Sequence, residues 1–203
     1  MAGSTGKVIF LNGTSSSGKS TIAKELQRVL PDPYLHVSID AFFHQLPHPF
    51  FAANPERFVQ ELPRLVAGFN SSCAAVARTG LNIIVDTVLQ EPSWVRPCAV
   101  AFEGLAVVFV AVRCSLATLE SREKLRGDRR VGMARYQYDR VHSHGVYDVE
   151  VDTSVMPLEP CVAKIIEYVQ SGQEPSAFKK LRAASDSREQ TAGGGGVNPP
   201  PQP

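Results

Sequence analysis

The chain has 203 residues, of which 43% are hydrophobic and 20% are charged, and its formal net charge is +1. This length suits one globular domain. The balanced charge argues against a nucleic-acid or membrane partner, because either would need a broad basic surface. The first apolar run, residues 8–11, is too short for a signal peptide or a transmembrane helix. The four cysteines lie far apart in apolar stretches, as buried reduced thiols do, so we expect a cytoplasmic protein. The sequence does not specify an oligomeric state.

Short runs rich in apolar residues alternate with helical patterns along the chain. These runs predict five strands, at residues 8–11, 34–39, 81–88, 105–112 and 147–151. Apolar residues at helical spacing predict helices between them, at residues 20–30, 55–79, 116–126 and 157–172. Pro63 is expected to kink or restart the second of these helices. The alternation predicts an α/β domain with a doubly wound parallel sheet.

The composition changes near the C-terminus. Beyond residue 185 the chain consists of polar residues, four glycines and a proline-rich end. Such a segment cannot bury apolar surface. We therefore expect one domain over residues 1–175 and a disordered Gly/Pro-rich tail over residues 185–203.

Residues 13–20 match the pattern G-x-x-x-x-G-K-[ST] at every fixed position, between a predicted strand and a predicted helix. The two glycines let the backbone curl so that its N–H groups point inward and bind phosphate, assisted by the helix N-terminus. Lys19 is expected to reach the β- and γ-phosphates, and Ser20 to ligate Mg²⁺. The alternative is a Ser/Gly-rich turn without a ligand. The predicted nucleotide-binding residues here are Gly13, Thr14, Ser15, Ser16, Ser17, Gly18, Lys19, Ser20 and Thr21.

Two aspartates follow predicted strands, at the edge where parallel sheets bind their ligands. Asp86 is expected to hold Mg²⁺ together with Ser20, and the alternative is a cap for the next segment. Asp40 has two interpretations that its position leaves open: a general base for a hydroxyl substrate, or the N-cap of a following helix. Phe42 and Phe43 either line an apolar substrate pocket or belong to the core.

A basic segment follows the fourth predicted strand. Within fourteen residues it contains Arg122, Arg126, Arg129, Arg130 and Arg135. Glycines interrupt the segment, so it can close over bound phosphates as a lid and offset their charge. We expect Arg129 and Arg130 to act on the transferred group, and Arg126 and Arg135 to bind the nucleotide. The alternative is a solvated basic loop.

Several segments carry a resemblance to a known family. They are Ile9–Ser20, Ser38–Ala41, Asn82–Asp86, Val112–Cys114 and a late block over Arg126–Thr153. The first motif is shared by many nucleotide-binding proteins, whereas the late block, with its R-G-D-R, G-M-A and Y-D-V-E-V-D-T stretches, is more specific. Through these segments the sequence resembles the chloramphenicol phosphotransferase-like family of P-loop kinases. The resemblance extends over about residues 7–170.

The resemblance implies a three-layer α/β/α kinase fold with an arginine-rich lid. It also implies ATP- and Mg²⁺-dependent phosphorylation of a small-molecule hydroxyl, with chloramphenicol or a related antibiotic as a candidate acceptor. Asp40 matches the family's proposed base, and the catalytic set expected from it is Asp40, Lys19, Arg129 and Arg130. The sequence departs from the family where Phe-Phe-His occupies residues 42–44, and where a single acid, Asp86, stands in place of a frequent pair.

Two other functions compete with this one. A nucleoside or nucleotide kinase would need a second site for a base or phosphate, and Arg57, Arg64 and Arg78 are the only cations in the segment where that site would lie. A regulatory module would bind ATP without phosphorylating anything. The coexistence of Asp40 with an arginine-rich segment argues against such a regulatory module.

Overall fold

The computed structural model describes residues 4–47, 53–126 and 132–192 of the chain. Five strands are found in these residues: β1 (Val8–Asn12), β2 (Leu35–Ser38), β3 (Ile83–Thr87), β4 (Val107–Arg113) and β5 (Val149–Asp152). They form one sheet in the order β2-β3-β1-β4-β5, and every neighbouring pair is parallel. The predicted five-stranded parallel sheet is confirmed.

Helices cover both faces of this sheet. Those within the described residues are α1 (Lys19–Val29), α2 (Ile39–Phe43), α3 (Pro55–Arg78), α4 (Pro92–Ala101), α5 (Leu116–Arg126), α6 (Met133–Val141), α7 (Leu158–Gln170) and α8 (Ala177–Ala192). The result is the expected three-layer α/β/α arrangement. No helix among the described residues is long and apolar enough to cross a membrane.

The central strand β1 shows why the strand segments are apolar throughout. Its side chains alternate between two buried clusters: Phe10 packs with residues of α3, α4 and α8, whereas Ile9 packs with residues of α1 and α7. The Phe10 ring meets the rings of Phe102, Phe109 and Phe178 edge-on at centroid distances of 5.4, 5.5 and 5.3 Å. Since both faces of the strand are covered, period-two polarity is absent from its sequence.

The structure extends the packed domain beyond residue 175. In α8, Ala177, Phe178 and Leu181 are buried in the same cluster as Phe10. Arg182 of α8 also donates a hydrogen bond of 2.9 Å to the carbonyl oxygen of Ala99. The α8 backbone continues through Ala192, eight residues into the segment expected to be disordered. This helix was not predicted from the sequence, because its buried face consists of only a few residues beside a polar stretch.

Pro63 does not divide the second predicted helix. The structure has one helix, α3, with Pro63 inside it. The proline removes one backbone hydrogen bond, but residues on either side continue the helix, and Val66 and Phe69 are buried against the sheet. Packing of this apolar face outweighs the local cost of the proline.

Candidate active site

The loop between β1 and α1 has the backbone shape of an anion-binding nest. Ser16 and Gly18 both adopt left-handed conformations, with φ of 64° and 93°, and such residues turn successive N–H groups toward one side. Gly13 is required for a different reason: a Cβ atom there would lie 2.4 Å from the carbonyl oxygen of Val112. The loop therefore packs against β4 at one end and opens into α1 at the other.

The buried side chain of Lys19 folds back over the start of this loop. Its Nζ donates hydrogen bonds of 2.8 Å to the carbonyl oxygens of Gly13 and Thr14. Lys19 also lines the same cavity as Ser15, Ser16 and Gly18 of the loop. A full positive charge and a set of aligned N–H dipoles together favour a highly charged anion such as a polyphosphate.

Ser20 and Asp86 meet beside Lys19. The Ser20 hydroxyl donates a hydrogen bond of 2.6 Å to Oδ2 of Asp86, and Nε2 of His36 lies 3.4 Å from the same oxygen. Burial alone would raise the pKa of the Asp86 carboxyl. The contact with His36, the charge of Lys19 and the Ser20 hydrogen bond outweigh burial, so the pKa of this carboxyl is lower than usual. Asp86 is thus ionised at neutral pH.

Asp40 reaches the same cavity from α2. It is the second residue of that helix, and Ser38 is the N-cap, since its hydroxyl accepts from the amide of Ala41 at 3.4 Å. The cap role left open for Asp40 therefore belongs to Ser38. Phe42 and Phe43 pack edge-on against Phe69 and Phe58, at centroid distances of 5.6 and 5.9 Å, and are core contacts. They are not among the residues that line the cavity.

A cavity of about 540 Å³ joins these groups. Its polar wall includes Lys19, Ser20, Asp40, Asp86 and Arg122. The apolar part of its wall includes Ile22, Ile39, Val88, Leu125, Met156, Pro157 and Leu158. The loop between β1 and α1, called the phosphate loop from here on (residues 13–18), therefore shares one cavity with Asp40 and with an apolar surface.

The arginines of the basic segment have different positions. Arg122 lines the cavity and donates to the hydroxyl and the carbonyl oxygen of Thr153, both at 3.0 Å. Arg135 points elsewhere: its side chain is 66% exposed and pairs with Glu120 at 2.7 Å, so the structure does not bring it to the cavity. Arg126 is the last residue of α5. The predicted residues Arg129 and Arg130 lie outside the described residues.

The chain resembles known proteins over most of its length. The family model described as chloramphenicol phosphotransferase-like protein matches residues 6–170. The chain belongs to this family. A Mycobacterium tuberculosis protein named "Putative O-phosphotransferase" is 31% identical over 198 residues, covering 87% of this chain and 88% of that protein. The cytidylate kinase of Pyrobaculum neutrophilum is 27% identical and covers 86% of this chain and 98% of that enzyme.

Solved structures show the same fold for this phosphotransferase-like chain. The APS kinase of Mycobacterium tuberculosis, in complex with AMPPNP and APS, superposes with a TM-score of 0.66. It shares 15% sequence identity, and the match covers 83% of this chain and 99% of that one. Family and fold together indicate a P-loop kinase that phosphorylates a small molecule.

Several polar residues of this family member, buried or partly buried, were not predicted from the sequence. Glu123 of α5 is 1% exposed, and its carboxylate accepts from the amides of Gly132 and Ala134 at 2.8 and 3.0 Å, capping α6. Thr153 donates from its hydroxyl to the carbonyl oxygen of Ser17 at 2.8 Å. Gln137 of α6 accepts from an amide of the phosphate loop. Each has polar neighbours in the sequence, and the sequence pattern there does not distinguish a buried polar side chain from an exposed one.

Proposed function

We propose that the protein transfers the γ-phosphoryl group of ATP to a hydroxyl group of a small molecule that carries no phosphate of its own. One observation supports this most directly: Asp40, Lys19, Ser20 and Asp86 line a single cavity. An ATP-binding module that switches without chemistry would have no need for this additional carboxylate in the cavity of the phosphate loop. The proposal extends the family assignment by naming the donor, the acceptor group and the base.

In the proposed reaction, the bond between the γ-phosphorus and its bridging oxygen breaks and ADP leaves. A bond forms from that phosphorus to the acceptor oxygen, and the acceptor proton passes to the carboxylate of Asp40. Lys19 and the loop amides offset the negative charge of the β- and γ-phosphates throughout. The action of Arg129 and Arg130 on the transferred group stays a prediction.

The donor set beside Lys19 fits Mg²⁺, because that ion prefers carboxylate and hydroxyl oxygens. Ser20 Oγ and Asp86 Oδ2 are such donors and stand 2.6 Å apart at the cavity wall. We expect these two residues to hold the ion. When bound, it would supply positive charge beside the phosphates.

Few cationic side chains line the cavity in the described part of the chain, which supports an acceptor without a phosphate group. Those that line it are Lys19 and Arg122, and Arg122 already bonds to Thr153. On α3, Arg64 pairs with a neighbouring glutamate and Arg78 donates to backbone carbonyls. None of Arg57, Arg64 and Arg78 is among the lining residues, and a nucleoside monophosphate would need such a partner for its phosphate. The cytidylate kinase relative nevertheless makes nucleotides the second candidate class.

A coupled assay of ADP release tests the proposal. The acceptors are chloramphenicol first, then other hydroxylated antibiotics, nucleosides and nucleoside monophosphates. We expect turnover with an uncharged hydroxyl compound, and a loss of about 10²–10⁴-fold in Asp40→Asn with ATP affinity unchanged. Asp32→Asn is the matched control, since Asp32 is a surface residue with a side chain 54% exposed. Normal turnover in Asp40→Asn would show that Asp40 is not the general base. Turnover only with monophosphates would favour the nucleotide kinase, and ATP binding without any product would favour the regulatory module.

A further inference from the structure

The side chain of Gln137 connects the phosphate loop to the segment that follows β3. Its Oε1 accepts a hydrogen bond of 2.8 Å from the backbone N–H of Ser15. Its Nε2 donates a hydrogen bond of 3.0 Å to Oε1 of Gln90. Gln137 is only 6% exposed. One buried amide group therefore contacts two parts of the site that are distant in sequence.

The helix that carries Gln137 is fixed at both ends. At its N-terminus, Glu123 accepts from the amides of Gly132 and Ala134. At its C-terminus, the buried Asn12 donates to the carbonyl oxygen of Val141 at 3.1 Å. Because α6 is held by β1 on one side and by α5 on the other, the Gln137 amide has a defined position relative to the loop.

Gln137 contacts the end of the loop where the γ-phosphate of a triphosphate would lie. Lys19 bonds to the carbonyl oxygens of Gly13 and Thr14, the two residues before Ser15. A lysine at this position of the motif reaches the β- and γ-phosphates. The N-terminus of α1, where the other phosphates bind, is formed by later residues of the loop. The Gln137 contact is therefore at the γ-phosphate end.

Gln90 extends this connection to the proposed metal site. It lies four residues beyond Asp86, in the segment leaving the same strand. Gln137 thus sets the spacing between the start of the phosphate loop and the segment after Asp86. A shift of that spacing would move Lys19 relative to Asp86, and these two groups must act on the same phosphate.

We propose that Gln137 is a positioning residue for the γ-phosphate: it holds the Ser15 end of the loop in the shape that a triphosphate requires. This inference rests on the proposed function. The Gln137 contact should affect triphosphates and diphosphates differently, since a diphosphate has no phosphate group at the Ser15 end of the loop. Removing the Gln137 amide should weaken ATP binding much more than ADP binding. A side chain that merely stabilised the fold would weaken both equally.

Calorimetric titration of Gln137→Met with AMP-PNP and with ADP, each with Mg²⁺, tests this prediction. Methionine has a similar length and removes both hydrogen bonds without leaving a large cavity. We expect the Kd of AMP-PNP to rise about tenfold, because the loop would then hold its binding shape only about a tenth of the time, and the Kd of ADP to change less than about twofold. Gln170→Met, at the exposed end of α7, is the matched control and should leave both constants unchanged.

Gln90→Met provides a second test that leaves the Ser15 contact in place. It removes only the anchor of Gln137, so we expect a smaller loss in the same direction, and a double variant no weaker than Gln137→Met. Equal losses for ADP and AMP-PNP, or no loss in either, would overturn the positioning role while leaving the proposed function intact. If the wild-type protein binds neither nucleotide, the proposed function fails as well.

Discussion

Glu123→Gln should destabilise the protein measurably, although the two side chains have nearly the same shape. The carboxylate of Glu123 accepts from the amides of Gly132 and Ala134 at 2.8 and 3.0 Å. Glutamine has one oxygen, so its NH₂ group would face one of these two N–H donors, of which that of Ala134 is buried. Orphaning that donor costs about 1–3 kcal/mol. Loss of the negative charge at the N-terminus of α6 adds about 0.3–1 kcal/mol.

The resulting loss of about 1–4 kcal/mol in the free energy of unfolding should lower the melting temperature by about 3–16 °C for a domain of this size. Thermal unfolding followed by circular dichroism measures it. Glu120→Gln is the matched control on the same helix: its ion pair with Arg135 is exposed and contributes less than about 1 kcal/mol. Equal melting temperatures for the two variants would refute the capping role of Glu123.

Two further predictions concern packing and pH. Gly13→Ala places a Cβ atom 2.4 Å from the carbonyl oxygen of Val112 and should abolish nucleotide binding and lower the melting temperature. Gly68→Ala, a helical glycine with open space around it, should raise that temperature slightly. Burial lowers the pKa of His142 to about 3 and that of His144 to about 4. As the pH falls, the two histidines take up protons in the unfolded chain before they do so in the folded protein. The free energy of unfolding should therefore fall as the pH drops from about 6.5 toward 4, and less steeply in His144→Phe.

Each of these predictions is tested by comparing the variant with a matched control. If Gly13→Ala binds nucleotide and melts like Gly68→Ala, the close approach of the loop to β4 has no energetic consequence. For the histidines, melting temperatures are compared at several pH values between 4 and 7. Parallel curves for the wild type and His144→Phe would show that the proton uptake occurs elsewhere.

The phosphate loop could be predicted because its information is local. Eight contiguous residues define the backbone shape, and an apolar run before them defines the strand. Asp40 and Asp86 could be predicted as neighbours for a related reason, since parallel strands bring their carboxyl ends to one edge. His36 could not, because a histidine inside a strand gives no indication of which carboxylate it will contact.

The arginine segment shows where sequence information becomes insufficient. Counting arginines does not tell which face of a helix each one occupies, and Arg135 pairs with Glu120 instead of entering the cavity. Glu123 and Gln137 depend on how α5 and α6 pack against the loop, which is a non-local property. For α8 a usable signal existed: Ala177, Phe178 and Leu181 have the spacing of one helix face.

The proposed function requires a triphosphate to bind to the amides of the phosphate loop and to Lys19. Titration of magnesium-ATP into the wild-type protein and into Lys19→Ala tests this most directly, with Lys24→Ala, an exposed lysine of the same helix, as control. We predict measurable heat and a raised melting temperature for the wild type and for Lys24→Ala, and affinity at least about tenfold weaker for Lys19→Ala. No heat and no melting shift with the wild type, or equal affinity in Lys19→Ala, would contradict the account.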